Sequence, residues 1–129
     1  MVFLTVHIDM SGKFQKKTTV GVALITSDKK DHCGLALSKQ LINKITREFS
    51  YEDLFPKLYA ICVFCLIKKK ISKVEKIILC NDEPFLEVKK SLLKLINSKI
   101  NIISITEHRY EKKDMYLQKY LLPNIFYIH

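Results

Sequence analysis

The sequence predicts an α/β domain built on one five-stranded mixed sheet, ordered 3-2-1-4-5, with helices on its faces. Three observations carry this. The chain opens on two runs rich in Val, Ile and Thr, joined by a short polar connection. A third short run follows after another polar turn. From there to the end, helix-like and strand-like segments alternate, the pattern of crossover units. At 129 residues, 48% apolar and 27% charged, the chain reads as a single domain spanning 1–129 with a buried core. Three glycines and three prolines leave little room for linkers, and no internal repeat is present.

The elements follow in order. Residues 2–9 and 19–26 run or alternate apolar as strands do, and the lysine-rich connection at 10–18 contains Gly12. The polar turn Ser27-Asp28-Lys29-Lys30-Asp31 precedes a short third strand at 33–37. Leu41, Ile42, Ile45 and Phe49 recur at helical spacing. Ser50 and Asp53 form a capping-box-like S-x-x-D before a helix striped by Leu54, Leu58, Ile61, Cys62 and Cys65. Lys68, Lys69 and Lys70 close it, where cations complement the helix dipole. A strand at 74–80, an amphipathic helix at 84–97, a strand at 100–105 and a helix at 113–122, stopped by Pro123, complete the chain.

Connection rules convert this order into a topology. Strands joined by tight turns pair antiparallel, so the first three form a meander, whereas strands joined through helices pair in parallel. The fourth strand therefore returns beside the first, and the fifth adds beyond it. Ligands of open α/β sheets gather at the carboxyl ends of strands where the winding changes direction. Here that place is the junction of strands one and four. Two aspartates are due there, Asp9 closing Val6-His7-Ile8 and Asp82 closing Ile77-Ile78-Leu79-Cys80-Asn81.

The formal charge is +9, from 22 Lys and Arg against 13 Asp and Glu. The excess favours a polyanionic partner, nucleic acid above all, if folding gathers the scattered Lys-Lys pairs. Lys13, Lys16 and Lys17, after the first strand, are the candidate backbone contacts. The first residues do not read as a targeting segment, because Asp9 falls where a signal core is apolar. The longest apolar run, 54–67, is broken by Lys57 and falls short of the roughly 18 residues of a membrane span. The expectation is a cytoplasmic protein with no membrane partner; the oligomeric state is left open, a homodimer included. The cysteines are then expected to be reduced thiols. Cys62 and Cys65 form a C-x-x-C inside buried-helix material, while Cys33 and Cys80 stand alone, so core packing rather than zinc is expected. Three separated glycines do not make a nucleotide-binding phosphate loop.

With this element order, with Asp9 in Ile8-Asp9-Met10-Ser11-Gly12 and with Asp82 ending the fourth strand, the chain resembles the ribonuclease H-like superfamily over nearly its full length. The Ile-Asp-x-Ser-Gly opening is similar to small, uncharacterised prokaryotic and archaeal members. The resemblance implies a nuclease that hydrolyses RNA or DNA with Mg2+ or Mn2+ on carboxylates, two ions standing roughly 3.5–4 Å apart. It implies metal and catalytic roles for Asp9 and Asp82. It asks the first long helix for a third carboxylate, Glu52 ahead of Asp53, and the last helix for a fourth, Asp114. Some related small proteins carry Leu-Gln followed by Ala-Asp in that helix. Here Leu117-Gln118-Lys119-Tyr120-Leu121 keeps the first two residues and lacks the acid. Glu107 and His108, read as a loop past the fifth strand, lie at the same end of the sheet. The alternative reading is a non-catalytic nucleic-acid-binding or assembly module on the same fold.

Overall fold

Alternating burial along the first strand sets up the whole architecture. In β1 (Leu4–Ser11), Val6, Ile8 and Met10 are buried while Asp9 and Ser11 are exposed. Side chains two apart share a face, so the hydrophobic set points one way and the aspartate the other. A computed structural model describes residues 3–16, 18–50, 52–96 and 99–121, with side chains as far as Lys113.

β2 (Val20–Thr26) and β3 (His32–Leu37) pair antiparallel in sequence, with Asp9 opposite Ala23 and Ala23 opposite Gly34. β4 (Val74–Leu79) and β5 (Asn101–Ser104) add in parallel on the other side of β1, with Ile8 opposite Leu79 and Ile78 opposite Ile103. The order is β3-β2-β1-β4-β5 in one mixed sheet, as the connection rules require.

Helices α1 (Lys39–Glu48), α2 (Leu54–Ile67) and α3 (Phe85–Leu95) contribute Ile42, Tyr59, Val63, Val88 and Leu92 to a core shared with Val6, Ile8, Val22, Leu24, Ile77 and Leu79. Ser38 caps α1, its side chain accepting from the Leu41 amide at 3.1 Å. α2 is apolar almost all round, so position rather than periodicity decides which side is wet. Cys62 is buried, but Cys65 is exposed one turn beyond exposed Ile61, which corrects the expectation that both cysteines are covered.

α4 (Ile105–Leu121) begins directly after β5, well before the expected start at 113. Ser104 accepts from the Glu107 amide at 3.1 Å, so Ser104-Ile105-Thr106-Glu107 has a capping-box sequence and ends the strand by starting a helix. Glu107 and His108 therefore lie on a helix rather than in a loop. Asp114 falls mid-helix, not at its opening, and its side chain lies outside the described residues. α4 packs on β4 and β5, and Lys76 pairs with Glu111 at 2.9 Å. Ile78 and Ile103, 1% and 3% exposed, are buried outside the main core cluster, as expected for outward residues of the two strands under α4. Among the described residues, no helix is long and apolar enough to cross a membrane.

Candidate metal centre

Asp9 reaches the site because it faces outward from β1, two residues before the strand ends at Ser11, and Asp82 because the chain turns just after β4. Between them stands Cys80, one residue past the strand. Ligand atoms of Asp9, Cys80 and Asp82 all lie within 4.8 Å of one another. Asp9 also accepts from the Met10 amide at 2.9 Å, which holds its carboxylate beside the strand. The expected convergence of Asp9 and Asp82 is thus present, and the group includes the thiol of Cys80, which stands alone in the sequence.

The surroundings of the thiol are apolar on one side. Tyr59, fully buried on α2, has its hydroxyl 3.1 Å from the Cys80 sulfur. Burial raises the Tyr59 phenol far above its usual range. Burial likewise pushes the Cys80 thiol up to about 11. Cys80 also lines a groove of about 380 Å³, with His7, Asp9, Ile78, Ile105 and Arg109. Arg109 also lines the next hollow along α4, with Thr106, Tyr110 and Lys113. Asn81 donates to the Thr106 hydroxyl at 2.8 Å, which ties the turn carrying Asp82 to the first turn of α4.

The loop after β1 is tied to the turn that carries Asp82 and Glu83. Gly12 has φ +81°, and a Cβ there would meet the Thr19 carbonyl oxygen at 2.7 Å, so this turn needs glycine. Phe14 is buried and stacks on Phe55 of α2, centroids 5.9 Å apart. Gln15 then donates to Glu83 at 2.8 Å. Glu83 is buried next to Asp82 in the chain, and burial raises its pKa above the usual carboxyl value; the Gln15 hydrogen bond and nearby Lys13 oppose the shift. Sequence reasoning missed Glu83, Cys80 and Arg109. Of the expected lysines, Lys13 and Lys16 are exposed on this loop, and Lys17 lies outside the described residues.

The third expected carboxylate is not in the group. Glu52 is exposed in the turn before α2 rather than on the helix. Asp53 occupies the N-cap position without a side-chain cap and pairs with Lys57 at 3.3 Å. Two carboxylates and a thiol still fit a divalent cation, since each offers a negative or ionisable donor and one side stays open to solvent.

Further along the same face, His7 and His108 meet edge to face at 5.5 Å. The His7 Nε2 is 3.3 Å from the Ser27 hydroxyl, while both ring nitrogens of His108 are buried without a partner. Burial lowers both pKa values, and Lys112 lowers them further.

No protein-family model, curated protein or solved structure matches this chain.

Proposed function

We propose that the chain is a ribonuclease H-like, metal-dependent nuclease that hydrolyses phosphodiester bonds of RNA or DNA. One observation carries this reading: the carboxylates of Asp9, on β1, and Asp82, in the turn after its parallel neighbour β4, converge where the winding of the sheet changes direction. A cation held there, Mg2+ or Mn2+ by the resemblance, would activate water and offset charge on the leaving oxygen. Asp9 and Asp82 supply its oxygen ligands. Arg109, lining the groove that also contains Asp9, suits a phosphate oxygen through its planar donors. Lys13 and Lys16 carry positive charge on the loop beside the acids, in keeping with the net charge of +9.

The second reading, a nucleic-acid-binding module without catalysis, is favoured by the absence of Glu52 from the acid group. A panel of labelled RNA, DNA and hybrid substrates, assayed with each divalent cation, separates the two. The nuclease reading expects metal-dependent cleavage, abolished by Asp9→Asn and strongly reduced by Asp82→Asn, with binding retained in both and weakening steeply with salt. Salt-sensitive binding without cleavage of any substrate would favour the module. Absence of binding at low salt would remove both readings.

A further inference from the structure

The sulfur in the acid group narrows the kind of cation it takes. Resting on the reading that Asp9 and Asp82 hold a divalent cation, we propose that Cys80 is its third protein ligand. The site is then a two-carboxylate, one-thiolate centre for a thiophilic ion of the zinc class, with a position left for water or a phosphate oxygen.

Two observations converge on this. The three donors lie within 4.8 Å of one another, and donors around a tetrahedral ion with bonds of roughly 2.0–2.3 Å stand about 3.3–3.8 Å apart. Small side-chain rotations close the difference. Among the described residues this is the one group of three candidate ligands, so the sulfur sits where the acids already converge rather than elsewhere in the chain. Independently, the Tyr59 hydroxyl, fully buried on α2, stands 3.1 Å from the Cys80 sulfur, in a contact where either atom can donate. A buried phenol usually finds a hydrogen-bond partner, and a neutral thiol is a weak one as donor or acceptor. A metal-bound thiolate is a permanent acceptor, and a hydrogen bond from outside the ligand set that orients a ligand is the usual support of such centres.

The chemistry selects the ion. Thiolate ligands favour zinc-like cations, whereas carboxylate and water suit magnesium and manganese. Three protein ligands with a fourth position open is the arrangement of catalytic zinc. On binding, the sulfur–hydrogen bond of Cys80 breaks, a sulfur–metal bond forms and one proton leaves to solvent, with no change in oxidation state.

Cadmium is the direct probe, because a cadmium–thiolate bond gives an ultraviolet charge-transfer band independent of activity. The titration is made on the 129-residue chain carrying Cys33→Ser and Cys65→Ser, the two exposed cysteines. The expected result is a band that saturates at one equivalent, with release of a proton, reversal by zinc and no reversal by excess magnesium. Cys80→Ser should abolish the band and weaken zinc binding at least roughly tenfold, and Tyr59→Phe should weaken it by a similar factor. Asp9→Asn and Asp82→Asn should shift the same band to higher cadmium concentrations, which ties it to this group even if Cys80→Ser fails to fold. Manganese binding that depends on Asp9 and Asp82, with no cadmium band, would overturn the thiolate and leave the nuclease reading standing. A folded protein that binds no divalent cation would overturn both.

Discussion

The two faces of the sheet are built on opposite terms. The inner face of β1, β2 and β4 presents Val6, Ile8, Val22, Leu24, Ile77 and Leu79 to three helices, and the side chains there are almost wholly excluded from water. Among the described residues, the outer face is covered by α4 over β4 and β5 as far as His7 of β1, and beyond β1 it runs over Gly21, Ala23, Gly34 and Ala36 to the edge strand. Asp9 stands at the boundary between the covered and the open half, lining hollows on both sides of it. The difference teaches where stability and chemistry reside. Burial on one face holds the strands in register, and the register then fixes polar groups on the other.

The contrast can be broken by substitution. Ile77→Ala on the inner face should destabilise by about 2–5 kcal/mol in urea unfolding, through lost burial and a cavity. Ile78→Ala, its outward neighbour, should fall near about 2 kcal/mol, since a single helix covers it and can settle into the gap. Equal losses at the two positions would mean that α4 is as firm a layer as α2. Removing the cap of that helix with Ser104→Ala should lose about 1 kcal/mol.

A smaller effect is expected from pH. His7 and His108 hold protons less tightly in the folded chain than the usual 6.5, through burial first and Lys112 second, with Lys76 and Glu111 also facing His108. Unfolded rings therefore take up protons first as pH drops. The stability linked to the pair is whole above 6.5 and is lost as the pH falls through the lower folded values. The thermal midpoint should drop between neutral and mildly acidic buffer, and His108→Phe should flatten that slope. An unchanged slope would place the pH dependence elsewhere. Smallest of all, Asp9→Asn should alter stability by no more than about 0.5 kcal/mol while removing cleavage, since its carboxylate is exposed.

Much of the inner face was legible in the sequence, because strand alternation and helix spacing are local signals and connection rules turn their order into a sheet. The meeting of Asp9 and Asp82 followed from the same rules. The outer face was harder to read. Cys80 sits in an apolar run and was weighed against other cysteines, whereas its partners are carboxylates; the Cys-x-Asp step at the end of a strand was the available signal. Glu83 finds Gln15 only across the folded site. The start of α4 was hidden because Ile102 to Ile105 continues as a strand would, and the Ser104–Glu107 capping pair was the cue that outweighed it. Glu52 looked plausible by its place in the chain, but it lies in a turn and outside the donor group.

The convergence of Asp9 and Asp82 on a cation is the claim on which the functional reading stands, and crystals soaked in manganese test it most directly. An anomalous difference peak between the two carboxylates, lost in Asp9→Asn crystals, is the expected result. Ordered carboxylates with no peak between them at saturating manganese, and none on a repeat soak with zinc, would contradict it.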